Sequence, residues 1–230
     1  KVLGKRPSLP FKGIVGFNDM LAAESAYPLH TPAYDDISAL QYTGGTTGVS
    51  KGVMLTQGSL MSNVAQTMAM VSAGGRSVTH FTTVSPLPLY HIYAWMLNMG
   101  LMPATRGHSV LIPDPRNIPM FVGAIKSLKF EIFCGLNSLF VTLLQDSKFQ
   151  KLDFSKLQIT LSGGMALMDA VADEWQQATG CVVSEGYGMT ESSPVISMNP
   201  SGFEKIGTAG IPLPGTEIKV VDENGVEQQV

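Results

Sequence analysis

From Tyr42 to Gly52 the sequence reads Tyr-Thr-Gly-Gly-Thr-Thr-Gly-Val-Ser-Lys-Gly, small and hydroxylated residues ending on a single lysine. Glycine lets main-chain amides approach a ligand closely, and successive amides turned into one concavity bind anions. Gly44, Gly45 and Gly48 supply that freedom, Thr43, Thr46, Thr47 and Ser50 add hydroxyl donors, and Lys51 adds a point charge. The combination suits phosphate oxygens and makes ATP the expected ligand. Two better-known patterns compete for the same residues. A Walker A loop needs Gly before the lysine and Ser or Thr after it, but Ser50 and Gly52 stand there. Gly48-Val49-Ser50-Lys51-Gly52 does satisfy the Gly-x-Ser-x-Gly pattern of α/β-hydrolases, which presents its serine on a strand, a sharp turn and a helix. Val53-Met54-Leu55 reads instead as a second strand, so Ser50 is not expected to be a nucleophile.

A second constellation, Glu185-Gly-Tyr-Gly-Met-Thr-Glu191, puts a ring, two glycines, a hydroxyl and two carboxylates into one short segment. Tyr187 could stack on a nucleobase and Thr190 could donate to a phosphate. A carboxylate there could hold Mg2+, which favours one or two carboxylates together with phosphate oxygens. The histidines His30, His80, His91 and His108 are scattered singly and offer no metal-ligand set.

These segments need a scaffold. Short apolar runs alternate with amphipathic stretches. Strands are expected at 39–42, 81–84, 110–112, 131–133, 158–161 and 182–184, and helices at 92–101, from 118 with Asn117 as N-cap, at 139–145 and at 168–178. The alternation predicts an α/β fold, a mainly parallel sheet flanked by helices. Ligands collect at the carboxyl ends of such strands, where the Gly-rich run, Ser162-Gly163-Gly164-Met165 and Glu185–Glu191 would all fall. Residues 1–38 read as a connecting segment with a short helix near Phe17, Met20 and Leu21, residues 39–204 as the α/β core, and residues 205–230 as the start of a β-rich subdomain. In that last stretch Glu217–Val221 and the Asn224-Gly225 turn predict a hairpin. A start without methionine and a hairpin cut at Val230 suggest an excised piece of a longer protein.

Composition narrows the partners. A net charge of -3 over 230 residues leaves no electrostatic footprint for nucleic acid. Cys134 and Cys181 lie far apart, outside any Cys-x-x-Cys pair, and read as buried thiols of a reducing compartment. With no long apolar run and no signal peptide, a cytoplasmic location is expected.

The run from Thr43 to Gly52, Pro88-Leu-Tyr-His91 and Glu185–Glu191 occur in the order seen in the adenylate-forming superfamily, which the chain resembles over residues 39–225. Asp114-Pro-Arg-Asn-Ile-Pro119, Gly135-Leu-Asn-Ser-Leu-Phe140, Leu152-Asp-Phe-Ser155 and Gly163-Gly-Met165 are similar to the bacterial long-chain fatty acid CoA ligases in particular. The resemblance implies ATP-dependent conversion of a fatty acid to acyl-AMP and pyrophosphate, then transfer to coenzyme A, with Mg2+ as the metal. It implies that residues 43–51 cradle the β- and γ-phosphates. Gly163, Gly164, Met165, Glu185, Gly186 and Tyr187 would border the adenine, Thr190 would meet the α-phosphate, and Glu191 would bind Mg2+. His91 would lie near the reacting carboxylate, and Tyr93, Gly135, Leu136, Asn137, Gly188 and Met189 would wall the acyl channel. Catalytic weight falls on Lys51, His91, Thr190 and Glu191. Met96, Leu97, Met99, Leu101 and Met102 suit either an acyl chain or plain core. The family's ribose-holding aspartate, hinge and C-terminal lysine domain, together with the first part of the large domain, are not among these residues, so the piece alone is expected to be inactive. Peripheral association of the parent with the inner membrane is left open, and a nucleotide-binding module without catalysis is the alternative.

Overall fold

The computed structural model describes residues 16–23, 30–44, 50–75 and 77–228. The chain divides into two units, Lys1–Pro32 and Ala33–Val230. In the first, the expected short helix is α1 (Phe17–Ala22).

The second unit opens with a surprise. The strand before the Gly-rich run, β1 (Ile37–Thr43), does not join the parallel sheet; it pairs antiparallel with β2 (Lys51–Thr56) in a separate two-stranded ribbon. The few residues between Thr43 and Lys51 can join antiparallel strands, whereas parallel neighbours need a crossover of about a dozen residues or more. β2 runs directly into α2 (Gln57–Val71), whose N-cap Thr56 accepts a hydrogen bond from the Ser59 amide at 3.1 Å. Leu60, Val64, Thr67 and Val71 recur at helical spacing along its buried face.

Next come β3 (Thr82–Ser85) and a helix in three parts: α3 (Ile92–Trp95), a π-helical turn (Met96–Leu101) and α4 (Met102–Ala104). The Asn98 side-chain amide donates to the Ala94 carbonyl at 2.7 Å and to the Ser85 hydroxyl at 2.7 Å. In a regular α-helix the Ala94 carbonyl would serve the Asn98 main-chain N–H, so this competition accounts for the wider turn. Gly100 lets the turn approach α2: a Cβ there would lie 2.8 Å from Val64 Cγ2 and 2.9 Å from Met96 Sδ.

Then follow β4 (His108–Leu111), α5 (Ile118–Ile125), β5 (Ile132–Gly135), α6 (Asn137–Leu144), β6 (Ile159–Ser162), α7 (Asp169–Thr179), β7 (Val183–Gly188), β8 (Val195–Met198) and β9 (Ile211–Pro212). The expected Asn117 cap is present, accepting from the Met120 amide at 3.2 Å. Strand order is β4-β3-β5-β6-β7-β8-β9. β4 to β7 are parallel, and β8 and β9 add antiparallel. β7 does not stop at Ser184, because Gly186–Gly188 find a partner in β8. Among the described residues the expected hairpin near the end shows one bridge, Val221 with Glu227, around a turn in which Asp222 Oδ1 accepts from the Asn224 and Val226 amides at 2.9 Å.

The sheet carries a core on each face. Alternation along β5 sends Ile132 and Cys134 toward α2 and the π turn, and Phe133 toward α5, α6 and α7. The second face is dominated by rings, with Trp175 4.6 Å from Phe140 and 5.0 Å from Phe133 between centroids. The Trp175 indole N–H donates to Thr160 Oγ1 at 3.0 Å, so the largest buried side chain leaves no polar group unpaired. This rigid slab holds the carboxyl ends of β6 and β7 in place.

Candidate active site

A cavity of about 480 Å3 opens between the β1–β2 ribbon, the π turn and the carboxyl ends of β6 and β7. Its size lies within the range of about 300–1,000 Å3 typical of small-molecule sites. One end is polar and glycine-rich, with Thr43, Gly44, Lys51, His91, Gly163, Gly164, Gly186, Tyr187, Gly188, Met189, Thr190 and Glu191. The other is apolar, formed by Val64, Met96, Leu97, Leu101, Leu161, Val195 and Met198, with Tyr93 and Thr67 among them. Three segments remote in sequence thus converge on one volume. Gly45, Thr46, Thr47 and Gly48 lie outside the described residues, and Ser50 is exposed and does not line the cavity. Because β2 begins at Lys51, the Gly-x-Ser-x-Gly match has no helix behind its serine and is not a nucleophile elbow.

His91 caps α3: its Nδ1 accepts from the Tyr93 amide at 3.3 Å. With that lone pair engaged, a neutral ring carries its proton on Nε2 and has a donor to offer the cavity. Upstream, Gln41 of β1 donates to the Tyr90 carbonyl at 2.6 Å, fastening the ribbon to the segment that presents His91.

Thr190 and Glu191 sit on a 3-10 turn, Thr190–Ser192, between β7 and β8. The Glu191 side chain is exposed and has no hydrogen bond or ion pair among the described residues. No group of three metal-ligating side chains exists among the described residues. One unengaged carboxylate at a polar mouth fits Mg2+ held largely by a nucleotide's own phosphate oxygens, and does not fit a metal held by protein alone.

Other expected site residues support the cavity without lining it. Glu185 accepts from the Gly207 amide at 2.9 Å and the Leu167 amide at 3.3 Å, and Asn137 Oδ1 accepts from the Met168 amide at 3.0 Å. The two side chains hold the loop after β6 from either side. Leu136 touches that loop, 3.6 Å from where a Cβ on Gly164 would stand. At Gly135 the Cβ direction meets Phe140 at 2.7 Å, and Met165 is 68% exposed. The sequence alone does not single out Val64 and Thr67 on α2 or Val195 and Met198 on β8, which also line the cavity. The spacing of Leu60, Val64, Thr67 and Val71 was the available signal for α2.

Behind the apolar end, the Tyr93 hydroxyl reaches toward the Cys134 thiol without a hydrogen bond of ordinary geometry. Burial holds the phenol well above its usual range and pushes the thiol up to about 12. Both therefore keep their protons when folded, while an unfolded thiol loses its proton near 9.0. Between those values the folded chain binds more protons, so stability declines as pH rises above 9.0. Each retained proton contributes a slope of about 1.4 kcal/mol per pH unit. Urea midpoints measured from about pH 8 to about pH 11 should fall less steeply in Cys134→Ala than in the unaltered chain; parallel slopes would place the titration elsewhere.

Among the described residues no helix is long and apolar enough to cross a membrane. The long-chain-fatty-acid–CoA ligase of Haemophilus influenzae is 42% identical over 199 residues, 85% of this chain and 35% of that protein. The ligase of the same name from Bacillus subtilis is 32% identical over 216 residues, 90% of this chain and 37% of that one. The chain thus spans little more than a third of the length of these curated relatives. Among solved structures, the anthranilate CoA ligase AuaEII in complex with anthranoyl-AMP superposes with a TM-score of 0.82 at 25% identity, covering 96% of this chain and 42% of that one. ATP-bound MatB from Rhodopseudomonas palustris superposes with a TM-score of 0.77 at 27% identity, covering 92% and 41%. Residues 5–230 match the profile of the AMP-binding enzymes, and with the α/β sheet and the convergence of the glycine-rich segments this means that the chain belongs to the AMP-binding enzyme family.

Proposed function

We propose that these residues form the nucleotide- and acyl-binding core of a longer long-chain fatty acid:CoA ligase. The observation that carries this reading is the polarity of this cavity: phosphate-binding residue types at one end, an apolar chamber between α2, the π turn and β6 at the other. A fatty acid has the same polarity. In the first half-reaction the carboxylate oxygen attacks the α-phosphorus of ATP, forming the acyl–phosphate bond while the bond to the bridging oxygen breaks and pyrophosphate departs. In the second, the thiol of coenzyme A attacks the acyl carbon and AMP leaves.

Each residue has work in that scheme. Charge growing on the leaving pyrophosphate would be met by Lys51 and by the amides and hydroxyls of the Gly-rich run, including Thr43. Tyr187, half exposed at the mouth, offers a ring to the adenine. The Thr190 hydroxyl would donate to the α-phosphate. Mg2+, held by Glu191 and phosphate oxygens, would neutralise charge on the nucleotide. The Nε2–H of His91 would orient the attacking carboxylate. Residues 39–204 would be the catalytic core and 205–230 the start of a β-rich subdomain. A cytoplasmic enzyme suits the buried thiols, and membrane contact by the whole protein is a separate question for vesicle binding.

Acid-dependent exchange of labelled pyrophosphate into ATP, run on the full-length protein with acetate, an amino acid and alkanoic acids of increasing length, tests the proposal. The highest kcat/KM should fall on a medium or long alkanoic acid. An amino acid or acetate in that place would overturn the fatty-acid reading, and nucleotide binding without any exchange would favour a non-catalytic module.

A further inference from the structure

We propose that Asn63 is a positioning residue for phosphate chemistry, a side-chain tether that fixes the turn carrying Thr190 and Glu191 relative to the ribbon carrying Lys51. The inference rests on the function proposed above. Asn63 lies on α2, which continues β2 without a break from Lys51. It is 3% exposed, and its amide makes two bonds to a single residue of β8. Nδ2 donates to the Val195 carbonyl at 2.7 Å, and Oδ1 accepts from the Val195 amide at 3.1 Å. One side chain thus imitates a neighbouring strand. Val195 closes the turn that begins at Met189, whose amide donates to the Pro194 carbonyl at 3.0 Å. One helical turn further along α2, Gln66 donates to the Pro214 carbonyl at 2.8 Å, fastening the same helix beyond β9.

The geometry explains why an amide is needed here. The β1–β2 ribbon lies outside the main sheet, so among the described residues no ladder hydrogen bond fixes its distance from β7 and β8. An apolar residue on α2 could fill the space but would remove the partner of Val195 N–H and C=O in a part-buried place. Only a group with donor and acceptor side by side serves both. Asparagine does so without a charge, and its partners Val195 and Gln66 are not titratable.

Asn63→Asp in the full-length protein is the decisive variant. As a carboxylate it still accepts from Val195 N–H but turns a lone pair toward Val195 C=O; as a protonated acid it supplies both bonds. Burial raises the pKa of such a carboxyl. At pH about 8 pyrophosphate exchange should fall about tenfold relative to the unaltered protein, and as pH is lowered toward about 6 the deficit should shrink, because the lost partner is restored. Amide hydrogen exchange, compared at equal pH, should quicken across residues 187–196 while β5 and β6 stay protected.

Exchange kinetics matching the unaltered protein at both pH values would overturn the proposal. So would quickening spread evenly over the sheet, which would mean that Asn63 serves stability alone. If the unaltered protein shows no acid-dependent exchange, the proposed function fails, yet the hydrogen-exchange pattern still decides whether the tether exists. Asn63→Leu, which can make neither bond, should show the same local loosening at every pH.

Discussion

Replacing Gly188 by valine should abolish acid-dependent pyrophosphate exchange in the full-length protein while leaving the ring-rich face of the sheet intact. A Cβ at this position would stand 2.2 Å from the Pro194 carbonyl oxygen and 3.1 Å from Val195 Cα. Real atoms do not approach so closely, and both neighbours are backbone, so β7 and β8 must part. The Pro194 carbonyl is the acceptor that closes the turn through the Met189 amide, and that turn presents Thr190 and Glu191. A displacement of about 1 Å can cost 10²-fold in rate; a loss of at least that size is expected, with tryptophan fluorescence from Trp175 unchanged at low denaturant. Wild-type exchange in the valine variant would show that the close pairing at Gly188 is not needed.

Glu191→Ala and Thr190→Ala should each lower the rate of adenylate formation by about 10²-fold to 10³-fold, the usual loss when one preorganised group facing transition-state charge is removed. The Lys51→Ala loss should be smaller if main-chain amides of the Gly-rich run share its load. For Glu191 the signature is a raised Mg2+ requirement: exchange measured against Mg2+ at fixed ATP should shift to higher concentration in Glu191→Gln. An unshifted curve with a lowered plateau would mean that Glu191 acts on something other than the metal.

Much of the fold is legible in the sequence. β3 to β7 and the helices α5, α6 and α7 follow from apolar runs bounded by turn residues, because buried parallel strands must be apolar on both faces. Several residues at the polar mouth are legible because glycine, hydroxyl and lysine side by side suit phosphate oxygens. What failed were judgements about partners. Whether β1 belongs to the sheet depends on strand pairing, which residues 37–43 do not encode by themselves. α2 is less legible because the polar Asn63 and Gln66 stand beside its buried stripe, and both make long-range bonds that tie the helix to β8 and Pro214. Asn137 and Glu185, expected at the acyl wall and the adenine border, instead hold backbone amides remote in sequence, which their own segments do not reveal.

A crystal structure of the full-length protein with a non-hydrolysable palmitoyl-adenylate analogue tests the central claim most directly. The adenine should lie at the Tyr187 and Gly164 end of the cavity, the phosphate mimic beside Thr190 and His91, and the alkyl chain between Val64, Leu97 and Leu161. An alkyl chain leaving the cavity toward solvent, or an adenine seated in the apolar chamber, would contradict the account.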